Sequence, residues 1–265
     1  MTPPPAQDRD FPYWLVAIGF LLTLAFWQVA RSETSTAVAA TLWRGLQITL
    51  FVSVFSYLMA CLVGLGLAMM SLSKSLVLRQ LSRFYVEVIR GIPILVLLLY
   101  VAFVLAPALV VAVNWMREGL GFDPIRTRDF SLLWRAIMAL VIAYSSFLAE
   151  VFRAGLQSVD RGQIEAAEAL GLSRAQRFRH IVLPQALRVI LPPLGNDFIA
   201  MLKDSSLVSV LGVLDIAQLG KVTAAGNFRY FETYNVVALY YLTMTIGLSL
   251  ILRQIEARLR RRAAH

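Results

Sequence analysis

Two groups of polar side chains interrupt an otherwise apolar chain of 265 residues, and they limit the chemistry that the chain can perform. The first group fills the stretch from Asp160 to Pro184. The second group lies inside a later apolar run and consists of Asn196, Asp197, Lys203, Asp204 and Ser205. A histidine triad or a metal cluster is disfavoured, because the chain holds only two histidines and one cysteine. The chemistry that remains is recognition through ion pairs and hydrogen bonds.

Helix-capping residues divide the first group into short helical pieces. Asp160 is a helix N-cap, and Gly171 supplies the left-handed residue that closes a helix. Ser173 then caps a second helix, and Pro184, which has no N–H, marks the start of a new segment. Since an isolated helix of about ten residues is marginal in water, the first of these helices needs a surface to dock against.

The side chains between these caps form a shallow surface and an acidic face. Ala166, Ala167 and Ala169 let another backbone approach closely. Glu165 and Glu168 are three residues apart, so they share a face and suit basic groups. Two interpretations follow from these residues alone. The helix docks on a partner protein, or it lies solvated on the surface of a membrane.

The same stretch resembles a loop found in one family of membrane proteins. The stretch resembles the EAA loop of permease subunits of bacterial ABC importers through Glu165-Ala166-Ala167, then Gly171, then Ile181-x-Leu183-Pro184. The stretches Arg90-Gly91-Ile92-Pro93 and Lys203-Asp204-Ser205-Ser206-Leu207 resemble the polar amino acid branch of that family. The similarity extends from Gly45 to Arg253 and leaves the first 45 residues outside it.

The resemblance implies a fold, a mechanism and a set of partners. The fold is an all-α membrane protein with about six transmembrane helices, the last five forming a type I ABC importer permease core. The mechanism is alternating access driven by two ATPase subunits, with a second permease subunit and an external solute-binding protein. The surface that contacts the ATPase subunits is implied to consist of Glu165, Ala166, Ala167 and Gly171. This chain lacks a phosphate-binding loop, so ATP and Mg²⁺ are expected in the ATPase partners and no cofactor in the chain itself.

Composition independently indicates a polytopic membrane protein rather than an enzyme in solution. Hydrophobic residues make up 58% of the chain and charged residues only 15%. The formal net charge of +9 is concentrated at the ends of apolar segments and in the Arg258–Arg262 run. The positive-inside rule explains this charge better than binding of nucleic acid does. The expected location is the bacterial inner membrane.

Apolar runs and loop charges together predict the topology. The predicted spans are residues 14–30, 46–72, 92–113, 135–153, 187–214 and 233–252. Excess positive charge from Lys74 to Arg90 and after Arg253 places these regions and the C-terminus in the cytoplasm, with the loop from Asp215 to Glu232 outside. Six spans then put the N-terminus inside by parity, although its local charges do not support this. The predicted domains are a tail with an extra helix (1–45), the permease domain (46–253) and a basic tail (254–265).

Individual residues predict local features of these spans. Gly64 and Gly66 are spaced for close contact between helices. Pro93 and Pro107 predict a distorted helix in the third span. Arg135 is expected to extend outward to the membrane interface at the start of the fourth span. The first apolar segment is interpreted as a membrane anchor rather than a cleaved signal peptide.

The fifth span contains the ionisable residues that we expect to have a function, since such residues inside a membrane usually face a bundle interior or a watery cavity. Helical spacing places Asn196 and Lys203 on one stripe and Asp197 and Asp204 on the neighbouring stripe. An aspartate would accept from the ammonium group of an amino acid, and Asn196, Lys203 and Ser205 would donate to its carboxylate. Alternatively, Lys203 neutralises an aspartate and holds two permease subunits together.

Two further alternatives concern the cargo and the energy source. In the first alternative, the chain belongs to the same family but carries a small organic cation or another polar solute. In the second alternative, the chain belongs to a different class and is a transporter or channel that does not use ATP. Inverted internal repeats would favour that class, and the sequence shows none.

Overall fold

The computed structural model describes residues 13–261, and within these residues it contains helices and no β-strand. The first half consists of α1 (Tyr13–Arg31), α2 (Glu33–Ser71), α3 (Leu76–Gly91), α4 (Ile94–Tyr100), a π-helical turn (Val101–Leu105), α5 (Ala106–Glu118) and a 3-10 turn (Thr127–Asp129). The second half consists of α6 (Leu132–Gln157), α7 (Arg161–Ala169), α8 (Arg174–Arg177), a π-helical turn (Phe178–Val182), α9 (Leu183–Asp204), a 3-10 helix (Ser205–Leu211), α10 (Ile216–Asn227) and α11 (Tyr230–Arg261).

The number of helices able to cross a membrane confirms the predicted all-α membrane fold. Among the described residues, five helical stretches are long and apolar enough: α1, α2, α4 with α5, α6 and α11. The helical run Arg174–Leu211 and α10 are bent by 50° relative to each other. If they are counted as one span, they form a sixth crossing. Residues 1–12 of the predicted N-terminal tail lie outside the described residues. The predicted basic tail begins as the last turns of α11.

Helix α2 begins earlier than the sequence predicts and is the longest in the bundle. Its 39 residues correspond to about 58 Å, compared with about 30 Å for the bilayer core. The hydroxyl of Ser32 accepts from the N–H of Ser35 at 3.3 Å and caps the helix. The polar residues before Leu46 therefore form helix rather than a loop, and the predicted domain boundary at residue 45 lies within α2.

The core is built on the contact between α2 and α6. Fully buried Val52, Leu140 and Leu148 belong to its largest hydrophobic cluster. A Cβ at Gly64 would lie 3.0 Å from the carbonyl oxygen of Ser145, so glycine is what allows the two backbones to approach. At Gly66 a Cβ would meet nothing within 4 Å. The predicted close contact is therefore confirmed for Gly64, whereas Gly66 makes no such contact within the described chain.

The third span is distorted next to one of its prolines, as predicted. Pro107 has no N–H to donate to the preceding turn, and the π-helical turn Val101–Leu105 comes directly before α5. The carbonyl of Ala102 accepts instead from Nη1 of Arg135 at 3.1 Å. Arg135 also donates to the carbonyls of Phe130, at 2.8 Å, and Thr127. Its guanidinium thus reaches the connection that precedes α6, and at 7% exposure the residue is buried against backbone carbonyls.

Two connections that the sequence predicts as loops contain helices. The first, after Lys74, forms α3, whose Tyr85 hydroxyl lies 2.8 Å from the hydroxyl of Ser145 in α6. The second, after Asp215, forms α10, which ends at Phe228 in a left-handed conformation. Neither helix is long and apolar enough to be found by hydropathy alone.

A buried junction joins α2 to the start of α10. A Cβ at Gly45 would lie 2.8 Å from backbone atoms of Asp215 and Ile216. The N–H of Ile216 donates to the hydroxyl of Thr49 at 3.2 Å. Asp215 is fully buried and caps α10 by accepting from a backbone N–H at 2.9 Å, and the hydroxyl of Tyr241 donates to its other oxygen at 3.3 Å. This junction ties α2, α10 and α11 together.

Candidate functional site

The N-terminal ends of the two short helices between α6 and α9 are capped as the sequence predicts. The carboxylate of Asp160 accepts from the N–H of Gly162 at 2.6 Å and starts α7. Ser173 starts α8 with a reciprocal capping box: its hydroxyl accepts from the N–H of Gln176 at 3.4 Å, and its own N–H donates to the Gln176 side chain at 2.9 Å. Both predicted caps are confirmed.

The C-terminal end of α7 is also closed as predicted. Gly171 has a φ of 77°, the left-handed conformation that favours glycine. The N–H of Gly171 donates to the carbonyl of Glu168 at 2.9 Å, and the N–H of Leu172 donates to the carbonyl of Ala167 at 3.1 Å. These two bonds are the Schellman motif, and they satisfy carbonyls that a helix end otherwise leaves unpaired.

Helix α7 contacts the bundle through one side only. Ala167 is 4% exposed, and Ile164 packs on the small cluster of Val159, Ala186 and Ile190 where α6 ends and α9 begins. This contact supplies the tertiary support that a helix of nine residues requires. Three of the four residues predicted to contact a partner, Glu165, Ala166 and Gly171, are exposed, while Ala167 faces the bundle.

The second helix does not end where the sequence predicts a new segment. From α8 the chain continues through the π-helical turn Phe178–Val182 into α9, where Pro184 occupies the first turn. The N–H of Leu183 donates to the carbonyl of Phe178, five residues earlier. Proline is tolerated in a first turn because N–H groups there lack helical acceptors. One continuous helical run therefore connects the exposed segment to the interior of the bundle.

Charge and exposure distinguish the surface around α7. The carboxylate of Glu168 forms an ion pair with Arg177 at 2.7 Å, which connects α7 to α8. Leu170, which the sequence analysis did not single out, is 80% exposed at the end of α7. We name the exposed residues Glu165, Ala166, Leu170 and Gly171 the coupling surface, after the role that the family resemblance implies.

The two aspartates of the fifth span face the interior of the bundle. The hydroxyl of Tyr144 in α6 donates to the carboxylate of Asp204 at 2.7 Å. The carboxylate of Asp197 lies near the side chains of Tyr57 and Cys61 in α2. Both aspartates are half-buried. They therefore form one acidic face that points toward α2 and α6.

The other three predicted residues lie elsewhere on the same span. Asn196 is exposed and lines a cavity of about 200 Å³ against Ser249 and Arg253 of α11. Lys203 is exposed beside Tyr241, and within residues 13–257 its ammonium forms no ion pair with either aspartate. Ser205 is fully buried, and its hydroxyl donates to the carbonyl of Leu202 at 2.8 Å. The five residues are thus not brought together in a single site.

Two tyrosines that the sequence analysis missed complete the acidic face. Tyr144 donates to Asp204, and the hydroxyl of Tyr57 donates to the carbonyl of Leu194 at 2.5 Å. The ring of Tyr57 also packs on Phe198, with 5.0 Å between centroids. A tyrosine in the middle of an apolar span needs an acceptor for its hydroxyl, and this was the available signal.

Comparisons with curated proteins agree on one kind of protein. The probable amino-acid permease protein YxeN of Bacillus subtilis (strain 168) is 40% identical over 211 residues, which cover 80% of this chain and 88% of that protein. The glutamine transport system permease protein GlnP of Escherichia coli (strain K12) is 35% identical over 216 residues, which cover 82% of this chain and 91% of that protein.

Solved structures and a family model lead to the same conclusion. The crystal structure of an amino acid ABC transporter with histidines matches with a TM-score of 0.70 and 34% identity, over 85% of this chain and 97% of that one. The inward-facing MetNI methionine ABC transporter, at a TM-score of 0.61 and 20% identity, supports the fold alone. The model of the binding-protein-dependent transport system inner membrane component matches residues 60–264. The chain therefore belongs to this family of inner membrane transport components, as the stretch from Glu165 to Pro184 predicts.

Proposed function

We propose that this chain is the membrane-spanning permease subunit of an ATP-driven amino acid importer. The names of the two curated relatives, an amino-acid permease and a glutamine permease, support this cargo class. The observation that carries the proposal is α7, which is fully capped, rests on the bundle through Ala167 and presents Glu165, Ala166 and Gly171 to a partner.

The proposed complex contains several subunits besides this chain. Two ATPase subunits bind ATP and Mg²⁺ and contact the coupling surface from the cytoplasm. A second permease subunit, identical or related, completes the translocation path, and a solute-binding protein delivers cargo from outside. The C-terminus lies in the cytoplasm in this arrangement, because the arginines after Arg253 follow the positive-inside rule.

Coupling uses the contacts that connect α7 to the fifth span. Movement of the ATPase subunits displaces α7, whose Ile164 packs on the cluster where α6 meets α9. The salt bridge between Glu168 and Arg177 attaches α7 to the helical run that continues to Leu211. The same displacement therefore reaches the acidic face of Asp197 and Asp204, and the path opens alternately to the two sides.

Charge reversal on the coupling surface tests this function. We expect Glu165→Lys to reduce copurification of the ATPase subunits, or to uncouple their hydrolysis from transport, with membrane insertion unchanged. Glu33→Lys is the matched control, because Glu33 is an exposed acid in the first turn of α2. Both variants are compared in reconstituted complexes. Normal assembly and coupling in Glu165→Lys would contradict the proposal and favour a solvated surface helix.

The acidic face is the proposed cargo path. Asp197 forms no ion pair within residues 13–257, so its carboxylate is available to the ammonium group of an amino acid. We expect Asp197→Asn to reduce transport or alter its selectivity while the complex stays intact. Asn196→Ala changes the neighbouring position, which faces α11 instead, and shows whether that side also contributes. Disassembly of the complex, or unchanged transport in both variants, would contradict a cargo path.

The topology is tested by labelling cysteines from outside the cell. In a Cys61→Ala background, cysteines at Gln80 and Ala175 should resist a membrane-impermeant thiol reagent, and a cysteine at Gly226 should react. All three positions are exposed in α3, α8 and α10. Labelling of the first two positions in intact cells would contradict the topology.

The relatives do not agree on a single cargo, and this keeps a second candidate open within the family. One is named for glutamine and another, 33% identical over 221 residues, for L-cystine. Measurement of ligand binding by the cognate solute-binding protein identifies the cargo. Tight binding of a solute other than an amino acid would replace the proposed cargo class.

A further inference from the structure

A cavity of about 430 Å³ separates α1 from α11 at the edge of the bundle. Leu22 and Ala25 line it from α1, and Ala238 and Leu242 line it from α11. These four side chains make most of the cavity apolar. The cavity lies outside the coupling surface and the acidic face, so the proposed import mechanism does not use it.

Polar groups collect at one end of this cavity, where α1 ends and α11 begins. Gln28, Glu232 and Asn235 line this end. Arg229 directly precedes α11, three residues before Glu232, and its guanidinium donates to the hydroxyl of Thr34, which adjoins the cavity-lining Ser35. Within residues 13–257, Arg229 and Glu232 form no ion pair with each other or with another side chain. An acidic and a basic group are therefore both available beside the mouth of an apolar cavity.

The apolar part of the cavity needs a filling group. Helix α1 contains no buried residue, and the guanidinium of Arg253 contacts it through the ring of Trp14 at 4.6 Å. Protein interiors are close-packed and leave few voids larger than a water molecule. Water in an apolar cavity would lack partners for its hydrogen bonds. Hydrocarbon satisfies the walls better than water does.

We propose that this cavity binds one phospholipid whose headgroup carries a primary ammonium. An acyl chain lies between α1 and α11 against Leu22 and Ala238. The ammonium group pairs with the carboxylate of Glu232, and the phosphate pairs with the guanidinium of Arg229, which suits phosphate geometry. The two opposite charges at the mouth match the two charges of such a headgroup. The bound lipid then supplies the packing that attaches α1 to the permease core.

Competition between two lipids tests the site in the purified complex. The complex is incubated in detergent with equal amounts of phosphatidylethanolamine and phosphatidylglycerol, and native mass spectrometry counts the lipids that remain bound. We expect one phosphatidylethanolamine to be retained preferentially. Glu232→Gln should reduce this preference by about fivefold, the value for loss of one partly exposed ion pair. Glu87→Gln, a change of an exposed acid in α3 away from the cavity, should leave it unchanged.

A second pair of variants tests the apolar part. Ala238→Phe fills the cavity and should abolish retention of the lipid, while Val16→Phe, at an exposed position outside the cavity, should not. Glu232→Gln changes no packing, so it remains informative if Ala238→Phe folds poorly. Equal retention of both lipids by the unmodified complex would overturn the proposal. It would also be overturned if Ala238→Phe separated two copies of the chain without changing lipid counts, since a second copy would then occupy the cavity.

Discussion

Two parts of this permease, the exposed helix α7 and the buried junction between α2 and α10, are stabilised in opposite ways. The hydrogen bonds that begin and end α7 connect residues no more than five apart in the sequence. At the junction, Thr49 accepts from a backbone N–H that lies 167 residues further along the chain. Helix α7 is thus defined locally and rests on the bundle through one side, whereas the junction exists only in the folded chain.

This difference separates features that depend on residues close in the sequence from features that depend on the packing of distant residues. Helix α7 satisfies its own ends, so its outer surface stays available to a partner. At the junction, the carboxylate of Asp215 is fully buried and both of its oxygens accept hydrogen bonds. Substitutions in the two parts should therefore differ in kind: those at the junction unfold the chain, and those in α7 change coupling while the bundle remains folded.

The largest effect is expected at the junction. Gly45→Val would place a Cβ 2.8 Å from backbone atoms of Asp215 and Ile216, which cannot move aside as a side chain can. We expect a loss of about 3 kcal/mol or more, enough to prevent accumulation of folded chain. Thermal unfolding in detergent, followed by size-exclusion chromatography, measures it. Gly66→Val is the matched control in the same helix, because a Cβ there meets nothing within 4 Å. Equal stability of the two variants would remove the distinction.

A smaller loss of stability is expected at Arg135, which also depends on residues distant in sequence. Arg135→Met removes the donors to the carbonyls of Ala102, Phe130 and Thr127. Since the side chain is buried, we expect a loss of about 2–3 kcal/mol. The same unfolding assay measures it, with Arg128→Met as a control at an exposed position in the preceding turn. An unchanged midpoint of unfolding would show that water replaces the lost donors.

In α7 the effect should be local. Gly171→Val forces a β-branched residue into a left-handed conformation, at a cost of about 1–2 kcal/mol. We expect faster hydrogen exchange in residues 161–172 and weaker stimulation of ATP hydrolysis, with an unchanged unfolding midpoint for the bundle. Gly171→Asn should retain most of the function, because asparagine tolerates this conformation. Unfolding of the whole chain by Gly171→Val would show that α7 is part of the same cooperative unit as the junction.

The smallest effect should follow removal of the ion pair beside α7. The carboxylate of Glu168 lies 2.7 Å from Arg177, and its side chain is 66% exposed. Glu168→Ala should therefore change the unfolding free energy by less than about 1 kcal/mol. Coupling should decrease if this contact transmits movement from α7 to α8. Transport and ATP hydrolysis measured together separate the two effects, and unchanged coupling would remove the ion pair from the proposed route.

The comparison also explains which features could be predicted from the sequence. The caps at Asp160, Ser173 and Gly171 depend on partners within five residues, so local patterns were sufficient to find them. The burial of Arg135 depends on a carbonyl in the third span, which is 33 residues away. No local pattern indicates that partner.

The arrangement of the fifth span shows the same limit. Helical spacing correctly assigned Asn196 and Asp197 to neighbouring stripes. It could not decide that Asp197 interacts with α2 while Asn196 lies against α11, because packing of the whole bundle determines which stripe faces inward. Family resemblance implies a coupling surface at Glu165, Ala166, Ala167 and Gly171 but gives no information on Leu170, whose exposure follows from the closing turn of α7.

The π-helical turn Phe178–Val182 sets the rotational phase of everything that follows it in the fifth span. Such a turn accommodates one residue more than an α-helical turn, and one residue corresponds to about 100° around a helix axis. A single residue deleted from this turn would therefore convert it to regular α-helix and leave Asn196 and Asp197 on the faces that they now occupy. One residue inserted into the α-helical part of the span before Asn196 would instead rotate Asn196 toward the position that Asp197 now occupies, while every hydropathy value in the span stayed nearly the same. The proposed cargo path would then present an amide instead of a carboxylate.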